Sequence, residues 1–169
     1  MDNLEFLYTR RSMRRYTEEP VSQEQLHAIL KAAMLAPSSR NGQPWHFVVI
    51  RDRALRETLM EYQPNMSFAR YADMVILVCA DLTITTAPQA HSDCAAATMN
   101  ILLAAHAQGL GACWCAVHPY EDRQNNIAAL CHIPENICIF SAVTIGHPGK
   151  ENPPTPDRFR DDRIHNETW

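Results

Sequence analysis

Ala90-His91-Ser92-Asp93-Cys94-Ala95-Ala96-Ala97-Thr98-Met99-Asn100-Ile101-Leu102-Leu103-Ala104-Ala105-His106-Ala107-Gln108-Gly109 is the stretch on which the fold turns. Ala95, Ala96, Met99, Leu102 and Leu103 leave little polar face, which predicts a central helix buried nearly all round. Gly109 stands where a helix stops in a left-handed turn. Outward from it, Cys113 to Val117 reads as a short strand and Cys138 to Ile145 as an apolar one. Met74 to Ala80 reads as a strand buried on both faces, and His46 to Arg51 is β-rich. A short helix carrying Leu4, Leu7 and Tyr8 ends near Arg10 and Arg11. Ser22-x-x-Gln25 is a capping box opening a second helix, with Leu26, Ile29, Leu30 and Ala33 on one face. Leu55 with Leu59, and Asp122 to Leu130, mark two more helices. Glu61 to Arg70 has no clear period, and proline-rich Gly146 to Trp169 reads as an extended, surface-hugging arm. Helices and strands that alternate irregularly around one apolar helix predict a single α+β domain over residues 1–169.

The 169 residues suffice for one domain. Apolar residues make up 46% and charged ones 20%, so a globular core is expected rather than disorder. A net charge of -4 argues against a general nucleic-acid or acidic-membrane binder while allowing a local basic site. The longest apolar run, Met74 to Ala80, is far short of the roughly 20 residues a spanning helix needs. Met1-Asp2-Asn3-Leu4-Glu5 shows no basic region before an apolar one, so no signal peptide is expected and a cytoplasmic protein is. Six cysteines, Cys79, Cys94, Cys113, Cys115, Cys131 and Cys138, sit mostly in apolar stretches and read as reduced thiols. There is no C-x-x-C, and Cys113-x-Cys115 puts both thiols on one strand face, a poor chelate; no metal site is expected.

Arg10-Arg11-Ser12-Met13-Arg14-Arg15 is the densest charge in the chain. It suits a solvated helix end, or a phosphate site in which arginine forks bind oxygens and a serine hydroxyl fills the gap. A second basic pair, Arg158 and Arg160, lies in the arm. Pro37-Ser38-Ser39-Arg40-Asn41-Gly42-Gln43-Pro44-Trp45 is either a plain structural loop or the polar partner of a planar heterocycle, since Asn and Gln offer donor and acceptor together. Gly109-Leu110-Gly111-Ala112-Cys113-Trp114 is a helix stop and core strand, with Trp114 beside small residues that would let a flat ligand approach.

These stretches, Arg10 to Tyr16, Ser38 to Trp45, Gly109-Leu110-Gly111 before Trp114, Ile145-Gly146-His147-Pro148 and the closing Ile164-His165-Asn166-Glu167-Thr168-Trp169, resemble the compact members of the nitroreductase family of FMN-dependent oxidoreductases. The likeness runs through essentially the whole chain in order. It implies a mixed, mainly antiparallel sheet flanked by helices with an extended C-terminal arm, in an intertwined homodimer holding FMN at the subunit interface. It implies that Arg10, Arg11, Ser12 and Arg14 grip the ribityl phosphate, aided by Arg158 and Arg160. By the same resemblance Pro37, Ser38, Ser39, Asn41 and Gln43 form the loop that the partner subunit lays against the flavin. Trp114, Cys115 and Ala116 match the strand edge facing the ring near N5, and Asn65 corresponds to a ring-contacting Asn.

NADH or NADPH would then pass hydride to flavin N5, and a small acceptor such as a nitroaromatic or quinone would receive it. The cofactor carries that chemistry, so no catalytic side chain is assigned. His118 near the ring reads as a structural donor and Cys115 as lining. Two departures stand out: Ala116 occupies a position where many relatives have Gly, and Glu61 to Arg70 leaves little room for a helical lid. A specialised flavin reaction on the same fold (reductive dehalogenation or flavin fragmentation) and a non-enzymatic flavin- or nucleic-acid-binding module are the competing readings.

Overall fold

Residues 4–151 and 154–169 are described by the structure, a computed structural model. Met1 to Asn3 at the N-terminus, and Asn152 and Pro153 of the arm, lie outside the described residues. The elements follow in the order α1 (Glu5–Thr9), α2 (Gln23–Met34), β1 (Trp45–Ile50), α3 (Arg53–Tyr62), β2 (Met74–Asp81), α4 (Ala87–Ala107), β3 (Gly111–Ala116), α5 (Glu121–Cys131) and β4 (Ile137–Gly146). The capping box forms as expected, with Ser22 Oγ accepting from the Gln25 N–H and Gln25 Oε1 accepting from the Ser22 N–H.

The four strands lie in the order β1-β2-β4-β3, and all three ladders are antiparallel. The parallel contribution to the expected mixed sheet is a single bridge between Ser12 and Ala112. Alternation along β2 explains why that strand is apolar at every position. Met74, Ile76, Val78 and Ala80 face one core with α2 and α4, while Val75, Leu77 and Cys79 face a second core with α3 and α5. The sheet is thus covered on both faces. The aperiodic stretch is accounted for as well: α3 runs on to Tyr62, and Pro64–Tyr71 coils as 3-10 turns whose Met66 and Ala69 plug the second core.

Two expectations need correction. α4 is not buried nearly all round: Ala90, Cys94, Ala97, Ile101 and Ala105 are buried, but Ala96 and Leu103 are half-buried and Met99 is exposed. A helix with small residues on two faces can bury one against its own sheet and leave the other uncovered. The arm leaves the body as well. Gly149 N–H donates to Arg15 O and Arg11 Nη1 to Pro154 O, but every residue from Pro154 to Trp169 is exposed. Its Phe159, Ile164 and Trp169 therefore find no core within this chain.

The two glycines around Leu110 have separate structural duties. Gly109 takes φ 74° to end α4. At Gly111 a Cβ would fall 2.5 Å from Met13 Cγ, so only glycine lets the basic segment lie against β3. Gly111→Ala is expected to destabilise the protein by about 1–3 kcal/mol through overpacking. That corresponds to a drop of about 2–12 °C in Tm for a domain of this size, measured by thermal unfolding.

Candidate cofactor site

The basic segment is fastened to the sheet from both ends. Met13 N–H donates to Ala112 O at 2.9 Å and Thr17 N–H to His147 O at 2.9 Å. Between them Tyr16 is inserted, its hydroxyl donating to Met13 O at 2.7 Å and lying 2.7 Å from Thr144 Oγ1. Burial pushes the Tyr16 pKa well above its ordinary value, so this anchor stays protonated. With Met13 buried as a peg, Ser12 and Arg14 face outward, and Arg14 rests over the Phe68 ring at 5.7 Å. Among the described residues none of Arg10, Arg11, Arg14 and Arg15 has a carboxylate partner. Four guanidiniums within six residues, with no ion-pair partner among the described residues, form a donor set suited to a dianion such as a phosphate monoester. A cleft of about 410 Å³ is lined by Met13, Gly111, Gly149, Lys150 and Glu151, and a separate one of about 440 Å³ by Arg14, Arg15 and Phe68.

Among the described residues β3 is an edge strand, with β4 on one side and the Ser12–Ala112 bridge on the other. Trp114 points to the α4 face, where its ring meets Phe140 edge-on at 5.7 Å. Cys113 and Cys115 point to the opposite face and are buried, as their alternation predicts. A hydrogen bond with Cys113, then burial, pushes the Cys115 thiol far above the ordinary thiol range, so it is neutral lining and no nucleophile. Ala116 is exposed at the end of the strand, and its carbonyl accepts from Gln63 Nε2 and from Arg123 Nη1. Gln63 is buried, yet it lies in the aperiodic stretch where the sequence offers no sign of its role. Asn65 is exposed next to it, and its backbone N–H donates to Gln63 Oε1.

The amide-rich loop is strained and braced. Arg40, Asn41 and Gln43 have φ of 53°, 55° and 49°, a left-handed conformation costing a non-glycine residue about 1–2 kcal/mol. Asp93 offsets this by accepting the Ser39 N–H at 2.9 Å, while Ser38 Oγ accepts from the Gln43 N–H at 3.1 Å. Gln43 Nε2 donates to Asn41 Oδ1, so both amides are held at the loop tip, where Pro37, Asn41 and Gln43 are exposed. Asp93 is missing from the residues picked out by motif; an acid on an apolar helix was the available signal. Its second oxygen, Oδ2, is buried with no partner among the described residues.

The structure places loop and basic segment at opposite corners. Asp93 holds the loop, whereas His106 sits by the basic segment, 2.9 Å from Thr9 Oγ1. Burial, and the nearby charge of Arg10, keep the His106 imidazole below its usual pKa. Asp93 and His106 are 13 residues apart on α4, about 20 Å along the axis. β1, which the loop enters, and β3 are opposite edges of the sheet, about 14 Å apart. Arg158 and Arg160 lie on the exposed arm, and among the described residues no hydrogen bond ties them to Arg10, Arg11 or Arg14.

Residues 7–147 match the model of the nitroreductase family. The chain belongs to that family. It is 45% identical over 170 residues to a protein of Archaeoglobus fulgidus to which NADH dehydrogenase or NAD(P)H nitroreductase activity is ascribed by name, with 98% of each chain covered. An FMN-dependent nitroreductase from Clostridium difficile R20291 superimposes with a TM-score of 0.90 at 29% identity, covering 97% of this chain and 98% of the other. A nitroreductase-type structure from Desulfovibrio desulfuricans, solved in complex with FMN, has a TM-score of 0.84 at 32% identity and covers 100% of this chain and 98% of its own.

The brace on the loop is testable by proteolysis. Asp93→Ala leaves the Ser39 N–H without its acceptor, a loss of about 1–3 kcal/mol, so trypsin should cut after the exposed Arg40 about tenfold faster. Asp93→Asn, which keeps an Oδ1 acceptor, should be cut near the wild-type rate.

Proposed function

We propose that this nitroreductase-family chain is an FMN-dependent oxidoreductase that takes hydride from NADH or NADPH and delivers it to a small acceptor such as a nitroaromatic or a quinone. We further propose that it works as a homodimer in a reducing cytoplasm. The observation carrying the reading is the run of guanidiniums, without acid partners among the described residues, that the Ser12–Ala112 bridge holds beside β3. Relatives named an FMN reductase in Bacillus subtilis and an NADPH-flavin oxidoreductase in Vibrio harveyi support it. All six cysteines are free thiols, in keeping with a reducing compartment, and no described helix is long and apolar enough to cross a membrane.

The residues present fit FMN. When bound, FMN supplies the chemistry of accepting a hydride and passing on two electrons. Arg10, Arg11 and Arg14 would hold the phosphate oxygens, with the Ser12 hydroxyl among them. Gln63 and Arg123 fix the Ala116 carbonyl, and so the end of the strand edge against which the ring would lie. Asn41 and Gln43 offer amide donors and acceptors to the polar rim of a heterocycle.

Two copies explain what one leaves open. The loop and the basic segment of a single chain stand at opposite corners, so a partner's loop would complete each site. The partly exposed stripe of Ala96, Met99 and Leu103 on α4, and the exposed Met34 and Leu35 at the end of α2, would bury against that partner. The arm, with Phe159 and Trp169 exposed, would dock there too and bring Arg158 and Arg160 to the phosphate.

Purified protein is expected to be a yellow dimer by sedimentation, bleached by NADH or NADPH without oxygen. Bleaching separates an oxidoreductase from a passive flavin carrier, and a turnover screen over nitroaromatics, quinones and free flavins identifies the acceptor. Arg10→Ala with Arg14→Ala removes two charge-assisted contacts of about 1.5–3 kcal/mol each, so FMN affinity should fall at least a hundredfold. A colourless monomer indifferent to added FMN would overturn the assignment.

A further inference from the structure

Three side chains far apart in sequence meet at the end of the sheet away from the basic segment. His91 belongs to the first turns of α4, His118 follows β3, and Cys138 opens β4. One nitrogen of each imidazole and the Cys138 sulfur all lie within 4.8 Å of one another. The His91 and His118 rings stand 3.7 Å apart between centroids, tilted by 32°. His91 Nε2 is 3.6 Å from Cys138 Sγ.

We propose that His91, His118 and Cys138 form a binding site for Zn²⁺, with two imidazoles and one thiolate as ligands. With Zn–N of about 2.0–2.1 Å and Zn–S of about 2.3 Å, tetrahedral geometry sets the N···S edge at about 3.6 Å. The His91–Cys138 pair already has that separation, and the other two pairs lie within 4.8 Å. The ligands also match in chemistry, because borderline-soft Zn²⁺ favours imidazole and thiolate together.

The backbone holds all three in place. His118 N–H donates to Phe140 O at 3.0 Å, Cys138 pairs with Ala80 in the β2–β4 ladder, and Phe140 stacks on both imidazoles at 5.9 and 6.2 Å. Without metal, the Cys138 thiol donates to Gln124 Oε1 at 2.9 Å. On binding, the S–H bond breaks, its proton goes to solvent and the sulfur lone pair forms the bond to zinc. Gln124 is thereby released to turn its amide N–H toward the thiolate or its oxygen toward the fourth coordination position. A surface cleft of about 670 Å³, lined by Gln124, Cys138 and His132, gives the ion a way in. The spacing of the cysteines carries no hint of this site, since its ligands lie 27 and 20 residues apart.

The test uses full-length protein, stripped with chelator and dialysed against Zn²⁺. One Zn²⁺ retained per chain by elemental analysis is expected, with Cys138→Ser and His91→Gln each lowering affinity about a hundredfold. Cys131→Ser, altering a thiol outside the cluster, should retain the full equivalent. Co²⁺ added to the unaltered protein should give a thiolate-to-cobalt charge-transfer band in the difference spectrum, which decides the matter even if a variant fails to fold. No retained zinc, equal retention in the His91→Gln/Cys138→Ser double variant, or a cobalt spectrum without thiolate character would overturn the proposal.

Discussion

Met13 donates its backbone N–H to Ala112 O, and its side chain fills the space that Gly111 leaves by lacking a Cβ. This close approach keeps four arginines at the edge of β3 instead of trailing in solvent after a five-residue helix. Tyr16 reinforces it from the other side, with its hydroxyl shared between Met13 O and Thr144. Repulsion among neighbouring guanidiniums would otherwise spread the segment. Backbone and core contacts supply what offsets that repulsion, leaving the charges available for an anionic ligand.

The rest of the architecture follows a division of labour between two faces. One core, beneath α3, α5 and the 3-10 turns, is closed by its own chain, and even Arg56 there donates to the carbonyls of Ala69 and Ala72. The other, beneath α2 and α4, ends in a helix with a further apolar stripe and in an arm with no core of its own. A single copy therefore carries the arginines at one corner and the braced amide loop at the diagonally opposite one.

Chain order hides some of the chemistry. Asp93, Gln63 and the His91–His118–Cys138 cluster occupy positions that show no spacing motif, because their partners come from other elements. Asp93 reaches 54 residues back to Ser39, and Gln63 reaches 53 forward to Ala116. In both cases a buried polar group on an apolar or irregular stretch was the only sign, and such a sign names no partner.

By itself the sequence determined nearly every element, since apolar period, capping box, glycine stop and proline breaks act within a few residues of one another. It also singled out the arginine cluster, the amide loop and the β3 edge as candidate stretches, through residue chemistry and family resemblance. Only the tertiary structure decided which side of α4 stays uncovered, how far the loop stands from the arginines, that the arm leaves its own body, and that two histidines and a cysteine converge. Those outcomes depend on which strands neighbour each other. Strand order is settled by long-range burial, which local patterns do not encode.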